Sequence, residues 1–173
     1  MNFLELAEER YSLRNMDACH PVEKDKLEKI AKAARVSPSA CNLQRHRLKI
    51  VTSTEGIEKI RRCTTCHFNA PAVIIISLDK DTGSSPMDEK RGMRFGLVDI
   101  GIVAAHMSLQ AAELGLGTTI AGMFDKGKII EEFGIPNSQE PVLIMPVGYP
   151  DEKGGPCILH KSRLALDKTT EWV

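Results

Sequence analysis

The order of apolar patterns along the chain predicts an α+β fold, a sheet layered with helices. Three observations carry this. Residues 21–35 place Leu27, Ile30, Ala31 and Ala34 at the i, i+3, i+4, i+7 spacing of a helix with one buried face. Val73-Ile74-Ile75-Ile76-Ser77-Leu78 is a short β-branched run between Pro71 and Asp79, the composition of a strand covered on both sides. Residues 91–114 read as one long helix closed by Gly115 and Gly117, which suit a C-terminal cap.

The remaining elements follow in order. Residues 3–9 predict a short first helix, which gives way to an extended linker near Ser12 and Asn15. Residues 48–51 predict a strand, with Thr54 capping a helix through Arg61. Residues 79–90, with Gly83, Ser84, Ser85 and Pro86, are the most loop-like stretch. Residues 118–121 and 141–149 read as strands on either side of a helix capped by Asp125 and ended by Gly134-Ile135-Pro136. Gly154-Gly155-Pro156 breaks the chain before a basic tail. The long helix is apolar nearly all round and rich in small residues (Gly101, Ala104, Ala105, Ser108, Ala111, Ala112), so most of its sides need cover. It is either the central helix of a monomer or the seam between two copies.

At 173 residues the chain is expected to form one domain, residues 1–173. Lys+Arg and Asp+Glu balance at 23 each, so no overall field draws it to nucleic acid or anionic lipid, and any anion site must be built locally. The first residues carry Glu5, Glu8 and Glu9 instead of a basic start and apolar core, so a cytoplasmic location is expected. Asp99, His106, Gln110 and Glu113 interrupt the longest apolar stretch, which reads as a buried helix and not a membrane span.

The local concentrations of chemistry are few. Pro38-Ser39-Ala40-Cys41-Asn42-Leu43-Gln44 lies between a helix and a strand, and offers short polar groups from a bend with little bulk. Arg10, Ser12 and Arg14 alternate, so an extended segment projects them to one side, where guanidinium forks and a hydroxyl suit a phosphate. Lys161 and Arg163 repeat that spacing at the other end of the chain. Basic pairs are commonplace on surfaces, and their value lies in combination with the bend.

That combination resembles the nitroreductase family of FMN-dependent oxidoreductases. The early Arg10-Tyr11-Ser12-Leu13-Arg14 and the 38–44 bend are similar to its opening segment and loop. So are Ala70-Pro71, Asp99-Ile100-Gly101, Leu114-Gly115-Leu116-Gly117, Pro146-Val147-Gly148-Tyr149-Pro150 and the tail His160-Lys161-Ser162-Arg163-Leu164. The resemblance implies a mixed β-sheet flanked by helices and a homodimer with FMN at its interface. It implies that Arg10, Ser12, Lys161 and Arg163 hold the phosphate, that Arg14 approaches the pyrimidine edge and that Tyr11 belongs to the same cofactor site. Pro38, Ser39, Ala40 and Asn42 would reach the flavin from the partner subunit, and Gln44 would also bind the cofactor. Ala121 and Gly122 would present backbone N–H groups beside its N5. NAD(P)H would act as co-substrate and an electron-poor acceptor, such as a nitroaromatic or quinone, would follow it in ping-pong order. No side chain need act as acid or base, because the cofactor carries the redox chemistry.

Two departures stand out. Gln44 is followed by Arg45-His46 where the family often has Pro-Trp. The chain is also short for the family before the long helix, which implies a more open pocket. Three competing signals are weaker. Cys63-Thr64-Thr65-Cys66-His67 matches a haem-attachment pattern or half a zinc site, but no second ligand pair accompanies it and no metal is expected. Cys41 reads as a small packing residue and His106 as a hydrogen-bonded core histidine. A non-enzymatic FMN protein, a redox sensor or electron carrier using Cys63 and Cys66, is the rival class.

Overall fold

The computed structural model describes residues 2–82 and 95–173. Among the described residues, five α-helices, α1 (Phe3–Glu9), α2 (Lys24–Arg35), α3 (Thr54–Cys63), α4 (Phe95–Glu113) and α5 (Lys126–Phe133), surround four strands, β1 (His46–Val51), β2 (Ala72–Asp79), β3 (Gly117–Thr118) and β4 (Gln139–Gly148). The sheet order is β1-β2-β4-β3, with every neighbouring pair antiparallel. The parallel component is a single bridge between Ser12 and Thr118, where the N-terminal segment joins the sheet beside β3.

Pleat alternation along β2 builds two cores. Ala72, Ile74, Ile76 and Leu78 face one apolar cluster with Leu27, Ile30 and Ala34 of α2 and Ile100, Val103, Ala104 and Met107 of α4. Val73 and Ile75 face the other, with Ile57 and Ile60 of α3, Ile129 of α5 and Leu13 of the N-terminal segment. Both faces are therefore covered, which is why β2 is continuously apolar. Its register with β4 shifts between Ile76 and Ser77, opposite Leu143 and Pro141; the bulge falls where proline has no N–H to give a regular ladder.

The ends of the helices follow local chemistry. Asn2 and Glu5 close a capping box on α1. Ser53, one residue before the expected Thr54, caps α3 by accepting from the Gly56 amide. Asp125 caps α5, and Gly134 ends it at φ 56°. After α4 the chain turns at Gly115 (φ 75°), and the Leu116 amide donates back to the Ala111 carbonyl over 2.9 Å. The expected start of this helix and most of the expected 79–90 loop lie outside the described residues.

One face of α4 is open in the single chain. Ala104 is fully buried in the core, whereas Leu97, Val98, Gly101 and Ala105 are exposed. The helix has the length and hydropathy of a membrane span, but its buried half packs on α2 and the sheet. Small residues thus serve two surfaces: Ala104 and Ala111 admit the sheet and α2, while Gly101 and Ala105 form part of an outer apolar stripe. Ala104 therefore does not line any seam between copies.

Candidate functional site

The extended segment 10–16 brings the N-terminal cations into place. The Leu13 amide donates to the Thr118 carbonyl (3.0 Å) and the Met16 amide to the Phe68 carbonyl (3.0 Å), so the segment runs as an added strand. Leu13 points inward with no exposed surface, and the alternation turns Ser12 and Arg14 outward as the period of two requires. Thr119 Oγ1 donates to the Leu13 carbonyl and fixes the same residue from the other side.

The C-terminal tail meets this segment. Arg10, Tyr11, Ser12 and Arg14 line a cleft of about 220 Å³ together with Cys157, Leu159, His160 and Arg163. Tyr11 and His160 make an edge-to-face ring contact at 5.9 Å, which ties the two ends of the chain. Among the described residues no carboxylate lines the cleft, and Arg10, Arg14 and Arg163 form no ion pair. Three guanidiniums and a serine hydroxyl converging without counter-charge fit an anion of phosphate geometry. Lys161 is exposed and does not line the cleft. His160, which the sequence marks only as part of the tail His160-Lys161-Ser162-Arg163-Leu164 and assigns no role, lines the cleft beside Tyr11.

The 38–44 bend does not reach this cleft within one chain. It forms a short 3-10 turn at Ala40–Asn42, with Cys41, Asn42 and Gln44 at φ of 52°, 54° and 49°. Ser39 Oγ accepts from the Gln44 amide over 3.0 Å, and the Gln44 carboxamide donates to Asn42 Oδ1 over 3.2 Å. The Ala40 amide donates to Asp99 Oδ1 of α4 over 2.9 Å. Cys41 is exposed at the tip of the bend in the single chain. Pro38, Asn42 and Gln44 are likewise exposed, and Ser39 and Ala40 are half-buried.

Ala121 and Gly122 lie on a third surface. The Ala121 amide donates to the Ile144 carbonyl over 3.0 Å, so it is spent on the sheet and does not face a ligand. Gly122 is exposed, and a β-carbon there would have only Leu143 Cδ2 nearby, at 4.0 Å. The Cys63–His67 turn braces the segment that follows. Thr64 Oγ1 donates to the Met123 carbonyl and accepts from the Cys66 amide, while the Asp125 amide donates to the Cys63 carbonyl over 2.8 Å. Burial, reinforced by Glu132 and Asp125, pushes the Cys63 thiol above its ordinary range, which disfavours a thiolate there. Among the described residues no group of three or more His, Cys, Asp or Glu is placed to hold a metal. His106, half-buried on α4, bonds to the Ile102 carbonyl through Nδ1 at 2.9 Å.

Comparison with known proteins places this geometry in a family. The model of the "Nitroreductase family" matches residues 7–67 and 65–149. The chain belongs to the nitroreductase family, and its α+β architecture is that fold. A nitroreductase family protein of Clostridium difficile 630 is 37% identical, with a TM-score of 0.88 over 99% of this chain and 98% of that one. An "FMN-dependent Nitroreductase" of Clostridium difficile R20291 is 27% identical, with a TM-score of 0.74 over 94% and 98%. The Bacillus subtilis protein named "Putative NAD(P)H nitroreductase YdgI" is 25% identical over 99% of this chain and 97% of its own length.

Proposed function

We propose that this chain is an FMN-dependent NAD(P)H oxidoreductase that reduces a nitroaromatic, a quinone or a similar electron-poor acceptor. The observation that carries the reading is the cleft where Arg10, Ser12, Arg14 and Arg163 converge from opposite ends of the chain with no carboxylate among its lining. Those residues would hold the FMN phosphate, with Tyr11 and His160 bracing the tail across it and Lys161 adding charge at the rim. The names of the relatives, one FMN-dependent and one an NAD(P)H nitroreductase, support the same cofactor and co-substrate. Bound flavin would supply hydride acceptance and donation at N5. The role of the chain is then to bind, orient and screen: cations at the phosphate and pyrimidine ends, and exposed Gly122 leaving room for a flat ring.

The reading includes a homodimer. The 38–44 bend is tied to α4 and stands apart from the cleft, so a second copy is the natural source of that wall. An apolar hollow of about 600 Å³ between α1, α2 and α4 supports a partner on this side, lined by Phe3, Leu6, Ala33, Val36, Ala105 and Leu109. The exposed Leu164, Leu166 and Trp172 of the tail suit docking on that partner.

Anaerobic titration of the purified protein tests the proposal. The expected result is a yellow solution bleached by NADH or NADPH and restored by a quinone over repeated turnovers. Bound flavin that neither nicotinamide reduces would overturn the enzyme reading in favour of a carrier; a colourless protein that takes up no added FMN would overturn the cofactor.

A further inference from the structure

We propose that the buried Arg45–Asp99 pair is the positioning device of the 38–44 bend, clamping it to α4 in the shape that receives a ligand. The proposal rests on the flavin reading for the identity of that ligand, and on the chain's own geometry for the clamp.

The bend needs such a device. Three of its residues that are not glycine sit in the left-handed region, and such conformations cost of order 1–3 kcal/mol each unless their surroundings determine them. Its internal bonds, Ser39 to Gln44 and Gln44 to Asn42, fold the loop on itself but do not say where it stands. The Ala40 amide to Asp99 Oδ1 is the hydrogen bond that ties the middle of the bend to α4. Arg47 Nη1 holds the far end by donating to the Gln44 carbonyl over 3.1 Å.

Asp99 is an anion within an otherwise apolar stretch of helix, and its side chain is 6% exposed. Arg45, equally buried, sets its guanidinium 3.6 Å from Asp99 Oδ2. The main chain of Arg45 is anchored independently, since its carbonyl accepts from the Asp79 amide over 2.8 Å at the end of β2. Gly96, one turn before Asp99, leaves room for both neighbours: a β-carbon there would stand 2.7 Å from Leu78 Cδ1 and 3.2 Å from Arg45 Cζ. A buried ion pair is weak evidence for stability, because desolvation of both charges offsets their attraction. Its best-attested use is to specify an arrangement, and here one carboxylate oxygen faces the cation while the other takes the loop amide. Arg45 is also the first residue of the departure from the family's Pro-Trp. At this position the chain carries a charged side chain that acts through Asp99.

The experiment uses the full chain with FMN as probe and compares Arg45→Met, Arg45→Lys and the neutral pair Arg45→Met/Asp99→Asn. Flavin affinity is read by fluorescence quenching, and amide exchange is followed at 38–44 and, as a control, in β2. Arg45→Met is expected to weaken FMN about tenfold or more and to speed exchange at the Ala40 amide by a similar factor while β2 protection stays constant. Arg45→Lys should recover to within about threefold of the native chain, because it keeps the cation. The neutral pair should recover part of the loss, since a carboxamide accepts from Ala40 without needing a counter-charge; it also decides the matter if Arg45→Met does not fold. Native flavin affinity and native Ala40 exchange in Arg45→Met would overturn the clamp, as would a neutral pair weaker than Arg45→Met alone. If the native chain takes no FMN, the flavin reading falls, and Ala40 exchange still decides whether the pair positions the bend.

Discussion

Gly117→Ala tests how the sheet aims the cation cleft. Gly117 stands opposite Gly148 in the two-residue strand β3, beside the segment that carries Ser12 and Arg14. A β-carbon at 117 would lie 2.6 Å from Leu13 Cβ and closer still to its Cδ2. The terminal methyl could rotate away, but Cβ moves only with the backbone. That backbone is pinned by the Leu13 amide to Thr118 and by the Thr119 hydroxyl to the Leu13 carbonyl. Overpacking costs about 1–3 kcal/mol, and loss of one pinning hydrogen bond adds about 1 kcal/mol. The sum, about 2–4 kcal/mol, should lower the urea midpoint by about 1–2 M for a slope near 2 kcal/mol/M. Because Leu13 separates Ser12 from Arg14, FMN affinity should fall as well. Leu13→Ala alone should destabilise by about 2–5 kcal/mol through the cavity that it leaves. Adding it to Gly117→Ala should cost less than the sum, since the new methyl group enters that space. A midpoint for Gly117→Ala within about 0.2 M of the native chain, or strict additivity of the two changes, would refute this account.

Three other perturbations probe the remaining assignments. Arg163→Ala removes one guanidinium of the cleft without touching the core, and should weaken FMN by about 10–100-fold with an unchanged unfolding midpoint, from the worth of a charge-assisted hydrogen bond; undiminished flavin content would count against the phosphate assignment. Ala105→Glu puts a carboxylate on the outer stripe of α4 and should raise the dimer dissociation constant at least about tenfold by sedimentation, whereas enlarging buried Ala104 should lower stability instead. Burial, aided by Arg47 and opposed by Asp99, holds the His46 imidazole below its ordinary value. The unfolded chain therefore binds the proton first, and stability should decline as pH falls through about 6.5 and level off below the folded value. His46→Gln should flatten that part of a urea-midpoint profile, and an identical profile would refute the assignment.

Much of this is legible in the sequence. β2 declares itself because burial on both faces leaves no room for polar alternation, and α2 because its stripe matches the period of a helix. Asp125, Gly115 and Gly134 act at helix ends through chemistry local to a few residues. What remained hidden is long-range. An Asp in an apolar helix demands a buried partner, but only the fold shows that Arg45 is that partner and that the Ala40 amide takes the other oxygen. The Cys63–His67 turn matched ligand patterns, yet its packed role is to brace Met123 and Asp125 through Thr64. Ala104 and Ala105 are neighbours of identical chemistry, and the rotation of α4 alone sends one into the core and the other to the outer stripe.

The sequence by itself determined the class of fold, most element positions and the kinds of group able to hold a phosphate, because hydrophobic period, capping and guanidinium chemistry are properties of short stretches. The tertiary structure decided which of those groups meet. It joined residues 10–14 to the tail across nearly the whole chain and left the 38–44 bend outside that cleft on α4. It also spent the Ala121 amide on Ile144. Proximity between distant segments depends on sheet order and register, which arise from packing the whole chain at once.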